Sequence, residues 1–263
     1  LRIYPALVAT TLFTIVLAGA STSLPWHEYL AHPQTADYAW RVALGWEMVY
    51  RLPGAFPANP FPHEVNGSLW TLPIELRLYV ALLLAGVAGL LARRSAWLAT
   101  VAALVAAFAW RPEWFPLSPN DRVVRELALA FALGSLAYAW RDALPVSLAA
   151  AAACVALVAW NPGGLARGAL FAPLLAYVVL VVAYHPRLAW PAASRVGDYS
   201  YGLYVYSFPV QQTLMERLPA LEPVELFALS LPLSLAVAAL SWHALERPAL
   251  GLKSRFDRTA RTS

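Results

Sequence analysis

The chain has 263 residues, of which 60% are hydrophobic and 13% charged, whereas soluble domains average about 45–50% apolar and about 25% charged residues. This balance excludes an ordinary soluble domain and predicts an all-α fold, a polytopic transmembrane helix bundle, because about 20 mostly apolar residues cross a bilayer core and runs near that length recur throughout. The net charge of +4 is no argument for nucleic acid, since the basic residues collect in short connections and at the C-terminus, and the lone Cys154 rules out an intrachain disulfide or a cysteine metal site.

In chain order, Arg2 precedes a first span over residues 4–20, with Pro5 where a helix start tolerates proline. Residues 21–65 are too polar to cross and are expected to form an extracytoplasmic loop. Within it, residues 36–52 set Asp37, Arg41, Glu47 and Arg51 against Ala39, Val42, Ala43, Trp46, Val49 and Tyr50. That pattern predicts a helix lying on the membrane or packed over the outer mouth of the bundle. Further spans are expected over 73–92, 96–110, 123–140, 144–160, 168–184, 199–218 and 224–245, with a basic cytoplasmic tail over 247–263. Pro173, Pro209 and Pro232 lie inside spans and should kink or start helices. Arg2, Arg93, Arg94, Arg141, Arg187, Arg195 and the tail fall on the richer basic side, which the positive-inside rule makes cytoplasmic. Residues 1–263 are read as a single membrane-embedded domain of a longer protein that lacks its N-terminal part.

Residues 66–79, N-G-S-L-W-T-L-P-I-E-L-R-L-Y, run from a polar turn into the second span and carry Glu75 and Arg77 to its mouth. An ionisable group near hydrocarbon costs roughly 2.5–3.5 kcal/mol on insertion scales, so Glu75 is a functional candidate expected at the outer end of its span. In the seventh span Ser200, Tyr204, Ser207 and Gln211 recur at helical spacing as one polar stripe, extended by Tyr201, Phe208 and Gln212. The stripe faces either other helices or a wet passage. Ser230, Ser234, Ala238 and Ser241 form a small-residue packing face on the eighth span. Glu246-Arg247 reads as an end-cap pair, and Glu126 as a surface ion pair with Arg125. His27, His32 and His63 match no metal-ligand spacing, and no metal site is expected. His185 and His243 are placed at helix ends. No glycine-rich phosphate loop, G-x-S-x-G elbow or H-E-x-x-H occurs, which removes ordinary hydrolases and nucleotide-driven pumps.

Four segments, L-R-I-Y-P at 1–5, the 66–79 motif, G-D-Y-S-Y-G-L-Y-V-Y-S-F-P-V at 197–210 and E-R-P at 246–248, resemble in order and spacing the acyltransferase-3 family of membrane-bound O-acyltransferases. The resemblance implies about ten spans in the whole protein, about eight of them here. It also implies transfer of an acetyl or other short acyl group from cytoplasmic acyl-CoA, acetyl-CoA above all, which serves as a co-substrate with no bound cofactor, to a hydroxyl of a surface glycan or lipid-linked glycan. The location implied is the bacterial cytoplasmic (inner) membrane. By the same resemblance Glu75 is the catalytic acid, orienting the family's upstream histidine or polarising the acceptor hydroxyl. Arg2 and Tyr4 belong to the donor-binding segment, and Asn66, Ser68 and Trp70 accompany Glu75. Ser207 stands where the family often has histidine. With the histidine-bearing helix missing, this piece is expected to be inactive alone. The stripe Ser200, Tyr204, Ser207, Gln211, with Tyr201, is the candidate wall of the acyl passage. The alternative is a non-enzymatic glycan or lipid transporter, or a membrane scaffold.

Overall fold

The computed structural model describes residues 3–116, 121–160, 171–188 and 197–252. Arg2 and tail residues 253–263 lie outside the described residues, and no structural statement concerns them. Among the described residues the secondary structure is helical, with one isolated antiparallel bridge between Arg51 and Glu64. Ten α-helices are described: α1 Tyr4–Gly19, α2 Trp26–Ala31, α3 Pro33–Leu44, α4 Leu72–Val87, α5 Arg94–Trp110, α6 Arg122–Ala139, α7 Leu148–Trp160, α8 Phe171–Tyr184, α9 Ser200–Arg217 and α10 Pro223–Ser241.

Local chemistry sets the ends of these helices. His32 Nδ1 accepts from the Gln34 N–H to cap α3, Asp121 accepts from Val123 and Val124 to cap α6, and Glu222 with Glu225 forms a capping box on α10. Gly45 (φ 73°) stops α3, and Gly89 (φ 77°) ends the helical path of α4 short of the expected residue 92. Both positions demand the left-handed backbone that glycine adopts without penalty. The span expected from residue 144 begins at Leu148 instead, the chain over Pro145 and Ser147 being non-helical. Two helical stretches, Gly67–Val87 and Pro223–Leu252, are long and apolar enough to cross a membrane, and four shorter apolar helices accompany them. Among the described residues, helix length and hydropathy therefore carry two spans directly.

The chain divides into two compact units, Leu1–Leu76 with Ala192–Ser263, and Arg77–Pro191, the boundary falling inside α4. In the second unit Trp97 and Val101 of α5 are buried with Ala132 of α6. Glu126 pairs at 2.7 Å with Arg122, one turn back.

In the first unit α1 and α9 run parallel. Their contacts climb together, from the Tyr201 hydroxyl on the Ile3 carbonyl, through Thr10 on Val205 and Phe13 against Tyr206, to Arg217 on the Ala20 carbonyl. Helix α3 returns antiparallel along α1: Tyr29, just before it, bonds the Ile15 carbonyl, and the Tyr4 hydroxyl bonds the Leu44 carbonyl at its far end. Segment 21–65, expected as an outer loop with a helix on the membrane or over the bundle mouth, therefore reaches both ends of α1. Its buried side is Thr35, Tyr38 and Val42, while Arg41 holds Asp37 at 2.7 Å and Glu47 at 2.8 Å on the other. Irregular chain packed along a helix has to be covered by protein. Leu52, Ala55, Phe56 and Val65 are accordingly almost fully buried. Burial also pushes the Tyr29 phenol above its ordinary range.

Helices α9 and α10 pack closely because Gly202 faces Ala238. A Cβ on Gly202 would lie 2.9 Å from the Ala238 Cα. Ser230, Ser234, Ala238 and Ser241, the small-residue face read from the sequence, are all buried. Gly202→Ala should therefore cost about 1–3 kcal/mol by forcing the backbones apart. A lowered unfolding temperature in detergent measures that loss, and an unchanged one contradicts the close approach.

Candidate active site

The site grows from a defect in α9. Pro209 lacks an N–H, so the carbonyl of Val205, four residues earlier, loses its helical donor. Two side chains replace it, Thr10 Oγ1 from α1 and Asn66 Nδ2 from the start of the 66–79 motif, each donating to the Val205 oxygen at 2.9 Å. Neither lipid nor a neighbouring apolar side chain offers such a donor. The kink thus pins the motif to the middle of α9. Asn66 is 1% exposed, and its Oδ1 has no hydrogen-bond partner.

From Asn66 the chain descends α9 toward its N-terminal end. The Tyr204 hydroxyl donates to the Ser68 carbonyl, and Thr71 Oγ1 lies 2.6 Å from that hydroxyl. With its one proton committed to Ser68, Tyr204 accepts from Thr71. One turn further, the half-buried Glu75 carboxylate stands near enough to the Tyr201 and Tyr204 hydroxyls to act on both through its charge. Tyr201 in turn bonds the Ile3 carbonyl beside Tyr4. Glu75 was expected at the opposite end of the bundle from Arg2–Tyr4. The structure instead brings Glu75 to the end where α1 begins, because the 66–76 segment descends along α9. Leu76 confirms the level: a Cβ built on Gly45 would touch both Leu76 and Leu7.

A second polar chain runs from α9 into the turn after α10. Tyr206 donates to Ser241 Oγ at 3.2 Å, and Ser241 donates to Glu246 Oε1 at 2.9 Å. Glu246 is 1% exposed and sits in a π-helical turn, Trp242–Glu246, through which the helix continues. The end-cap reading of Glu246 is thus corrected: the wider turn carries the carboxylate inward. Glu75 and Glu246 both act through their charge on Tyr201.

The expected polar stripe does not form one lining. Ser200 is exposed and bonds Asp198, Ser207 and Gln211 are half-buried, and only Tyr204 joins the network around Glu75. The buried amide is Gln212, which accepts from Asn59 and donates to the Phe61 and Glu64 carbonyls. Ser68 takes part through its carbonyl, and Trp70 is 43% exposed. Tyr4 spends its hydroxyl on Leu44. His243 meets the Tyr199 hydroxyl at 3.1 Å, and His185 Nδ1 accepts from the Arg187 N–H, so both serve local contacts at helix ends. Sequence reasoning missed Thr10, Thr71 and the Tyr206–Ser241–Glu246 chain. Only Thr10 had an advance signal, because a proline in a span marks a carbonyl that needs a foreign donor.

The acyltransferase-3 family, described as an acyltransferase domain, matches residues 1–243. An O-acetyl transferase of Shigella phage Sf6 is 27% identical over 259 residues, covering 94% of this chain and 74% of that protein. No solved structure matches. With the family matched over nearly the whole chain, the transporter and scaffold alternatives fall away: the chain belongs to the acyltransferase-3 family of O-acyltransferases.

Proposed function

We propose that the protein transfers an acetyl or other short acyl group from acyl-CoA to a hydroxyl of a surface glycan or lipid-linked glycan at the bacterial cytoplasmic membrane. The acceptor oxygen attacks the thioester carbonyl, the carbon–sulfur bond breaks, and the hydroxyl proton leaves for a base as coenzyme A thiol departs. Glu75 supplies the negative charge that polarises the acceptor hydroxyl or orients the basic group receiving its proton. Tyr201 and Tyr204 lie within electrostatic reach of it. The observation carrying this reading is the binding of the Glu75-bearing segment to α9 through Ser68, Thr71 and Tyr204, at the end of α1 where Tyr201 meets the donor-segment residue Ile3 beside Tyr4. If the basic connections mark the cytoplasmic face, donor and acid share one side, and only the acyl group or the acceptor has to travel along α9. The stripe residues Ser207 and Gln211, with Asn66, remain the proposed wall of that route.

Membranes from cells carrying the complete gene, supplied with acetyl-CoA labelled in the acetyl group, test this. Label should enter the glycan fraction as an alkali-labile ester, and only when the gene is present. Label that stays in the thioester pool, equal with and without the gene, contradicts both donor and acceptor.

A further inference from the structure

In the second unit, two grooves flank a shared wall of Ala137, Leu144, Pro145, Tyr177 and Leu180 between α6 and α8. Their volumes, about 510 and about 600 Å³, fall in the range of ligand pockets. The first is apolar nearly throughout. The second changes character along its length, from Gly134, Ala137 and Val181 to Tyr138, Arg141 and Tyr184.

We propose that these grooves bind one anionic glycerophospholipid, an acyl chain in each groove and the phosphate on Arg141. Two apolar channels divided by one wall fit a two-chain lipid, and the charge at the mouth fits an anionic headgroup. The Arg141 guanidinium lies 4.5 Å from the centroid of the Tyr138 ring and donates to the Tyr138 carbonyl at 3.1 Å. That contact fixes the fork in place. Its neighbour Asp142 stands 3.9 Å away and is engaged at 2.9 Å by Arg94. Tyr138 and Tyr184 are 70% and 72% exposed, as interfacial tyrosines at headgroup level are. Gly134 leaves the apolar end open: it is exposed, and a Cβ there would meet nothing within 4 Å. The inference rests on membrane residence and not on the acyl-transfer reading.

Spin-labelled lipids exchanged onto the complete protein in nanodiscs provide the test. The unaltered protein should immobilise phosphatidylglycerol about fivefold more than phosphatidylcholine, the factor that one arginine near an anionic surface supplies. Arg141→Gln should equalise the two lipids. Gly134→Leu should release both by filling the groove. If Gly134→Leu fails to fold, the Arg141→Gln arm decides alone. Equal retention of both lipids by the unaltered protein overturns the proposal, as does selectivity that survives Arg141→Gln. So does a groove that retains no lipid because another segment covers it. Acyl transfer is not the readout, so failure here is separable from failure of the enzymatic reading.

Discussion

Replacing Glu75 by glutamine should lower acyl transfer by about 100- to 10,000-fold, the usual worth of a positioned acid–base group. The substitution keeps the shape and length of the side chain and removes only its charge. Glu75 is half-buried in the first turn of α4, where the positive end of the helix favours a carboxylate. The uncharged amide forfeits that attraction, a loss of about 0.3–1 kcal/mol that leaves the fold standing. The charge lies within electrostatic reach of Tyr201 and Tyr204, and its loss should appear in kcat while the KM for acyl-CoA stays nearly constant, the pattern of an interaction made in the transition state. Glu75→Asp, which keeps the charge but withdraws it by one methylene, should fall between. The measurement is label transfer from acetyl-CoA in membranes with matched expression. Undiminished turnover in the glutamine variant would mean that the carboxylate only holds the architecture.

Much of the helical framework was legible because apolar length and capping residues act locally. Asp121, Glu222 and Gly45 end or start helices by bonds within a few residues, so their effect is written in adjacent letters. The small-residue face of α10 was legible for a similar reason: close packing in a bundle selects small side chains at helical spacing. What could not be read is partner choice. The pattern of α3, charged along one side and apolar along the other, serves equally for a helix on a membrane surface and for one lying along α1. Sequence carries the face but not what covers it. The polar stripe of α9 failed for a related reason. Periodicity selects Gln211, whereas burial falls on Gln212, where Asn59 and the Phe61 and Glu64 carbonyls offer partners. Those partners are about 150 residues away in sequence, with separations of 151 and 148 for the two carbonyls. The level of Glu75 was lost in the same way, since it depends on the path of 21–65 and not on the motif itself. Glu246 looked like a helix end because the sequence gives no sign that a π turn carries the helix onward.

Removing both Thr10 and Asn66 as donors should destabilise the first unit by more than the sum of the two single changes. Val205's oxygen is already deprived of its helical donor by Pro209, and each of the two side chains satisfies it at 2.9 Å. Thr10→Val or Asn66→Leu alone leaves one donor in place, so each should cost about 1 kcal/mol. The double variant leaves a buried carbonyl with none, adding roughly 1–3 kcal/mol of uncompensated desolvation. Pro209→Ala supplies the control, because an alanine N–H at that position restores the intrahelical bond. In that background the extra penalty of the double variant should largely disappear, giving a coupling of roughly 0.5–3 kcal/mol across the cycle. Unfolding midpoints in detergent for the eight combinations of these three sites measure it. Additive losses that do not respond to Pro209→Ala would mean that Thr10 and Asn66 act through packing alone. The 66–79 motif would then owe its place beside α9 to something other than the proline's unmet carbonyl. A coupled result ties Glu75's position to the kink: the same missing N–H that bends α9 recruits Asn66, and Asn66 sets the register in which Ser68 meets Tyr204 and Glu75 arrives beside Tyr201.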